Sequence, residues 1–561
     1  MSRKMHLRRV AAAVAAVLVP ALAAPAAAQA GSTVAAGHQV QVHLLGFNDF
    51  HGNLTGSGLK YNDPVSHVNA AAGGAARFAD AINTRRAADG PGSTLLVEAG
   101  DIVGASPPES SLLRDRPTLD MLNLLKVDVG TMGNHEFDKG VPEVLRQIYG
   151  GQSLVNPDIT FNPLDFPVIS ANIVWESTGK PVFRPYVIRT VNGAKVAFVG
   201  ATTTTTPTIT TKGSTDGVRF LDVAQAVNSY VPEIQARGVK AIVLVVHEGG
   251  VQTTYGTGAI SAPIADITRA LDPQVDVVIS GHSHTVVNGY VDGRLVVQAS
   301  SFGRAFEDVT LDYSKDTGDI VKATAEVIPV WQNDPPLSTN PAPHDPEVQA
   351  LVDSAVAEVG PKINQVINTV AADVTRNENV AGESALGDLI ADAQRQQMGT
   401  QIALMNEGGI RADLLAGEVT WGDLFTIQPF NNLLVTMKLT GAQLWTVLGQ
   451  QFQPSIATIR NLQIAGLNYT WHQTGDYTGT ITGVWLRNGP AGTGVPIAND
   501  ASQVYTVTVN NFLAGGGDGF AELANGADQI IGPSDLDALV NYVASLPTPF
   551  SQDSVGRIGY V

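Results

Sequence analysis

The chain has 561 residues, no cysteine and a formal net charge of −18. That length exceeds one ordinary core and implies roughly two to four domains, while the missing cysteines exclude disulfides, thiolate metal ligands and a lipid-modified cysteine anchor. The acidic balance argues against binding to a nucleic-acid polymer or to anionic lipid.

Residues 1–30 read as a cleavable leader. Arg3, Lys4, Arg8 and Arg9 precede an apolar run over 10–24, and Ala28-Gln29-Ala30 has the small-x-small pattern of a signal-peptidase site, with cleavage expected after Ala30. The run is about 15 residues, short of the roughly 20 that a membrane-spanning helix needs. The mature protein is therefore expected to be secreted or extracellular, or periplasmic or in the cell envelope where the source has that space, with no membrane anchor. Loss of those four cations takes the charge from −18 to −22.

An apolar strand over 40–47 ends in Asn48-Asp49-Phe50-His51, and helical spacing follows over 74–88. The strand 94–98 ends in Gly100-Asp101. A helix over 117–125 leads to the apolar stretch 127–132 and then to Gly133-Asn134-His135-Glu136-Phe137-Asp138. A strand over 195–199 runs toward the threonines 202–206, expected as a loop, and a helix spans 223–237. The strands 241–246 and 275–279 end in His247-Glu248-Gly249-Gly250 and Gly281-His282-Ser283-His284. This alternation predicts a layered α/β domain over 31–332.

Residues 333–345 hold four prolines and no apolar periodicity, which marks a domain boundary. Helical spacing resumes over 346–370, so 333–370 is read as a linker with a helix and 371–561 as a second domain. There a helix over 384–397, a strand over 402–405 and a strand over 433–439 come first. The capping box Thr440-Gly441-Ala442-Gln443 opens another helix. Strand-like stretches at 467–471, 479–486 and 504–509 complete a separate α/β or α+β unit.

Each polar cluster of the first half follows the carboxyl end of a strand, so parallel packing would gather all five loops at one rim. Taken alone, an Asn-Asp or Gly-Asp is usually a turn, and a strand-end histidine is more often capped or exposed than ligating. Together, however, five of the eleven histidines fall in four of these loops. Imidazole, carboxylate and amide without sulfur suit hard-to-borderline divalent cations. Asp49 and His51, two residues apart, are expected to share a face of an extended segment and chelate one ion. Asp101, alone on its loop, is the natural bridge between two cations about 3.5 to 4 Å apart. His38, His43, His67, His344 and His472 lack such company and are expected in surface or packing roles.

The ordered set Asn-Asp-Phe-His-Gly, Gly-Asp, Gly-Asn-His-Glu-Phe-Asp, His-Glu-Gly-Gly and Gly-His-Ser-His resembles the calcineurin-like metallophosphoesterases, and within them the secreted 5′-nucleotidase family, over essentially the whole mature chain. The resemblance implies an N-terminal four-layer α-β-β-α sandwich, a linker helix and a separate C-terminal α/β substrate-binding domain. It implies Asp49, His51, Asp101 and His284 around one divalent ion and Asp101, Asn134, His247 and His282 around another, with zinc, manganese, cobalt or magnesium as the metal. His284 stands where some members have glutamine; either side chain ligates. Two cations flanking one water would make it acidic enough to attack a phosphate in line. In the family pattern His135 faces that phosphate and Asp138 pairs with it, one helical turn away. His135 would then stabilise the transition state or protonate the leaving oxygen.

In the second half, the segment from Asn406 to Arg411 offers an amide, a glycine turn and a guanidinium suited to phosphate or ribose oxygens. Phe430 and Phe512 each stand beside polar residues in a turn. From the residues alone they read as core; the resemblance makes them stacking positions for a nucleobase, with Asn406, Arg411, Asn432 and Asp518 as further substrate contacts. Gly382 stands where several members carry arginine, and Arg376 is either its substitute or an ordinary surface residue. The expected activity is hydrolysis of nucleoside 5′-phosphates to nucleoside and inorganic phosphate. Alternatives on the same scaffold are a 2′,3′-cyclic-nucleotide phosphodiesterase, a nucleotide-sugar hydrolase, or a noncatalytic nucleotide-binding surface module. The oligomeric state is left open.

Overall fold

A computed structural model describes residues 38–561, apart from 91, 155, 457, 487–489 and 554–555. The leader read in residues 1–30 lies outside the described residues. Two sheets form the centre of the first half. One runs in the order Asp319–Pro329, Ala305–Ser314, Gln39–Phe47, Thr94–Glu98, Val129–Gly130; the other runs Val286–Val291, Arg294–Ala299, Val277–Ile279, Ala241–His247, Ala194–Thr202, Tyr186–Val191. Their facing valines, isoleucines and leucines pack into one core between the sheets. Helices Ala75–Asp89, Arg116–Leu125, Val141–Tyr149 and Pro346–Ile363 cover the first sheet, and Val223–Ala236 and Ile264–Ala270 cover the second. This is the expected α-β-β-α sandwich. All seven residues of Ala241–His247 are buried, as a parallel strand covered on both faces requires.

Register carries the loops to one edge. Phe47 pairs with Glu98 and Glu98 with Gly130, all in parallel strands, so the three chains leave that sheet side by side. Val245 likewise pairs with Ile279 in the second sheet.

The helix expected over 346–370 is shorter. It ends at Ile363, and Val366–Val370 is a strand paired antiparallel with Gly417–Thr420. The β-branched run Val-Ile-Asn-Thr-Val favours the extended form once an edge is available. The helix itself buries Val348, Val352, Ala355 and Val359 in the core of the first half. The threonine run is also only partly a loop: the strand extends through Thr202, and a short helix starts at Thr206.

The second half is a separate α/β unit. A five-stranded sheet in the order Leu462–Ala465, Ile402–Asn406, Val504–Asn510, Leu433–Thr440, Ala527–Ser534 carries helices Ala385–Met398 and Asp535–Ser545 over one core. Helix Gly441–Gly449 and a four-stranded sheet close the other. Thr440 and Gln443 form the expected capping box. No helix among the described residues is long and apolar enough to cross a membrane.

Candidate metal centre

The five loops meet as the strand register demands. Asp49, His51 and His284 form one tight group of ligand-capable atoms, and Asp101, His247 and His282 form another. Asp101 links them: its Oδ2 lies 3.0 Å from His247 Nε2 and 3.7 Å from His51 Nε2. Asp49 Oδ1 lies 3.2 Å from His284 Nε2 and 3.8 Å from His51 Nε2.

Hydrogen bonds outside the cluster fix which atoms face inward. His51 Nδ1 donates to the Gly104 carbonyl at 2.7 Å and His247 Nδ1 to the Ala99 carbonyl at 2.8 Å, so each ring turns its Nε2 toward the carboxylates. His51 Nε2 is 3.2 Å from His284 Nε2. Two imidazole nitrogens converge this closely around a proton or a cation. Asp49 Oδ2 accepts from Asn48 Nδ2 at 2.6 Å and from the His282 backbone at 2.8 Å. Asn134 Oδ1 is buried with no hydrogen-bond partner among the described residues. Orphaned buried acceptors cost free energy unless something else binds them. Divalent cations fit this donor set, so the structure meets the chemical requirement of two ions.

The expected extended Asp-x-His geometry is not what joins Asp49 to His51. Their strand ends at Phe47, and both residues adopt left-handed backbone, with φ of 50° and 47°. Asp101, His282 and His284 do the same, at 52°, 72° and 56°. Such backbone is uncommon outside glycine, and its concentration at the site is typical of functional loops.

Electrostatics follow the geometry. Burial opposes the charge on Asp49, yet His284 overrides it and holds the carboxyl down at about 2. Burial likewise disfavours charge on His247, but Asp101 and Asp49 raise it to about 10. For His51 burial prevails and lowers the pKa.

His135 and Asp138 stand where the sequence places them, on a single 3₁₀ turn, with Nδ1 2.9 Å from Asp138 Oδ2. Burial opposes the imidazolium, and Asp138 with Asp101 outweighs it, so the pKa is raised. Glu136, unassigned from the sequence, proves central. Its carboxylate accepts from the backbone N–H of Gly133 at 2.6 Å, Ile102 at 2.8 Å and Asp101 at 3.1 Å, tying two ligand loops together. The signal was its place between His135 and Asp138, without strand or helix periodicity to explain it. Gly133 is needed beside it, because a Cβ there would run into the Asp101 carboxylate.

Among the described residues, Phe430 and Arg411 bring the second half to this centre. The Phe430 ring stacks on His135 with centroids 5.6 Å apart and 19° between planes. The Arg411 guanidinium lies 5.9 Å from the Phe430 centroid; burial and the neighbouring Arg376 lower its pKa, and Asp101, Asp138 and Asp49 offset this only in part. Asn406 and Asp518 form a second group: Asn406 Nδ2 donates to Asp518 Oδ2 at 2.8 Å, and Arg460, which the sequence reading passed over, pairs with Asp518. Phe512 covers Gly517 in the adjoining turn. It makes no ring contact with Phe430 among the described residues. Asn432 is buried and engaged with Asp535, whose backbone N–H donates to its carbonyl at 2.8 Å. Gly382 has φ of 87°, a backbone that strains any other residue, and a Cβ there would displace the Asn461 side-chain amide, so an arginine fits this turn poorly. Arg376 donates instead to the Arg411 and Ile410 carbonyls, at 3.0 and 3.2 Å.

Comparison with known proteins agrees with this arrangement. Residues 42–286 match the model of the calcineurin-like phosphoesterases and residues 360–525 that of the 5′-nucleotidase C-terminal domain. The chain is 35% identical over 527 residues to endonuclease YhcR of Bacillus subtilis, across 92% of this chain but only 41% of that protein. It is 33% identical over 549 residues to cell wall protein Lmo0130 of Listeria monocytogenes, covering 91% of this chain and 68% of that one. The crystal structure of a 5′-nucleotidase precursor from Thermus thermophilus superposes with a TM-score of 0.75 at 27% identity, over 93% of this chain and 99% of that one. Two matched domains in this order, with ligand groups of the required chemistry at the rim of the first, place the chain in the 5′-nucleotidase family of metal-dependent phosphoester hydrolases.

Proposed function

We propose that this protein is a secreted hydrolase that converts nucleoside 5′-phosphates to nucleoside and inorganic phosphate, using Asp49, His51, Asp101, Asn134, His247, His282 and His284 to hold two divalent ions. The observation that carries the reading is the meeting of His135 with Phe430 and Arg411, which sets an aromatic face and a guanidinium from the second half beside the ligand groups of the first. When bound, the ions lower the pKa of water and neutralise phosphate charge. His135, held by Asp138 through Nδ1, donates a hydrogen bond or proton from Nε2 to the phosphate as the ester bond breaks. Arg411, beside Phe430, balances phosphate charge. Phe430 and Phe512 flank the base, while Asn406, Asn432 and Asp518 address base or ribose.

A nucleotide-sugar substrate is favoured by one further observation. A cavity of about 370 Å³ adjoins the Arg411 segment and is lined by Arg376, Glu378, Ser384, Glu407 and Gln463 among others. Burial and the neighbouring Glu378 push Glu407 up to about 8, which leaves a carboxyl able to donate to a sugar hydroxyl. Polynucleotide cleavage, which the name of YhcR denotes, is disfavoured by the charge of −18.

The deciding experiment follows the products by chromatography with manganese, zinc, cobalt or magnesium: adenosine and phosphate from AMP, UMP and glucose 1-phosphate from UDP-glucose, a nucleoside monophosphate from 2′,3′-cyclic AMP, and fragments from single-stranded DNA. Fast release from AMP supports the 5′-nucleotidase reading. Turnover confined to any other substrate overturns it in favour of that activity, and no turnover with any metal favours a binding module.

A further inference from the structure

A third group of ligand-capable side chains lies away from the rim. His43 is in the middle of strand Gln39–Phe47, Asp308 is on the neighbouring strand Ala305–Ser314, and Asp89 ends helix Ala75–Asp89. The Asp89 side chain is only 7% exposed, and its Oδ2 has no hydrogen-bond partner among the described residues. Arg85 takes the far side of both carboxylates: its Nε lies 3.2 Å from Asp89 Oδ1 and 2.5 Å from Asp308 Oδ2. The remaining oxygens, Asp89 Oδ2 and Asp308 Oδ1, then point to His43 Nδ1 at 3.6 and 3.1 Å.

We propose that His43, Asp89 and Asp308 form a third divalent-cation site, structural rather than catalytic, that fastens the end of helix Ala75–Asp89 to the first sheet. Zinc held at about 2.0 to 2.1 Å by nitrogen and oxygen in tetrahedral geometry sets its ligands about 3.3 Å apart, and the observed spacings bracket that value. A plain His43 to Asp308 hydrogen bond accounts for one oxygen and leaves Asp89 Oδ2 orphaned in a buried place, which a cation does not. Charge points the same way. Asp89, Asp308 and Glu326 all surround Arg85, so one guanidinium faces three carboxylates. Arg85 also gives the ligands the outer hydrogen bonds that orient metal-binding carboxylates. His43 precedes the end of its strand by four residues, about 13 Å at roughly 3.3 Å per residue, which separates this group from the catalytic ligands. In a chain without cysteine, such a clamp does the work of a disulfide.

The test compares metal content of the full-length protein after equilibration with zinc or manganese salts and removal of free ion. His43→Ala and Asp89→Asn should each hold one equivalent fewer than the parent and lose the metal-dependent rise in thermal midpoint, while keeping phosphohydrolase activity. Asp101→Asn should show the converse: activity lost, the third equivalent retained. Equal metal content in the parent and the folded Asp89→Asn protein, which is isosteric and removes only the charge, would overturn the proposal. The outcome does not depend on which phosphate ester the protein cleaves.

Discussion

The imidazole of His135 and the ring of Phe430 lie nearly parallel, 5.6 Å apart at their centroids, although nearly three hundred residues separate them in the chain. A base and its phosphate can therefore be read by one wall built from both halves. Replacing Phe430 with alanine removes a stacking surface worth about 1 to 3 kcal/mol, so KM for AMP should rise roughly 5- to 150-fold. Glycerol phosphate, which has no base, should be hydrolysed much as before. An equal loss on both substrates would mean that Phe430 serves His135 and not the base.

His135→Ala should lower kcat by about 10² to 10⁴, the usual contribution of a positioned acid or hydrogen-bond donor. Metal content should be unchanged, because no ligand is removed. Asp138→Asn should cost less, since the ring stays and only its orienting carboxylate is weakened. Undiminished turnover in the His135 variant would dismiss its role.

Glu136 gives a prediction of a different kind. Glutamine in its place keeps the size but turns an amide group toward backbone N–H donors that now meet carboxylate oxygens. The loops bearing Asp101 and Asn134 would lose their common anchor, and metal affinity should fall about 10- to 100-fold. A titration of activity against manganese reads this directly: saturation at higher metal concentration with kcat recovered is expected. If the midpoint does not move, Glu136 is not the anchor.

Much of the site was legible because its logic is local. An apolar run followed by Asp, Asn or His at five places, with parallel strands, leaves one rim for the ligands to share, and the register of Phe47, Glu98 and Gly130 delivers it. Backbone handedness was not legible: that Asp49 and His51 converge through positive φ depends on hydrogen bonds from their backbones to Asp101 and Gly100, which no pattern in the two residues reveals. Residues 366–370 were misread because the helical spacing before them gives no hint of the distant strand Gly417–Thr420. From the sequence His43 reads as a surface or packing residue. Its partners Asp89 and Asp308 come from one helix end and one antiparallel strand, far away in sequence.

Asp388 makes stability depend on pH in a sense opposite to that of most carboxylates. It sits inside helix Ala385–Met398 with no exposed surface, and neither oxygen has a hydrogen-bond partner among the described residues. Burial pushes its pKa up to about 8; Arg557, with Nε 3.5 Å away, opposes this incompletely, and Glu383 reinforces it. The folded pKa lies above the unfolded value, so between about pH 4 and pH 8 the folded form holds a proton that the unfolded chain has released. Stability from this group is thus full below pH 4 and is lost as pH rises to 8, by up to about 1.4 kcal/mol per unit. Half-buried Asp276 and buried Asp535, both raised to about 7, add to the slope, which makes the comparison with Asp388→Asn the informative one. That variant cannot titrate here, so its urea midpoint should change less between pH 5 and pH 8 than the parent's, and at pH 8 the variant should be the more stable of the two. Parallel pH profiles for the two proteins would show that Arg557 keeps Asp388 ionised throughout.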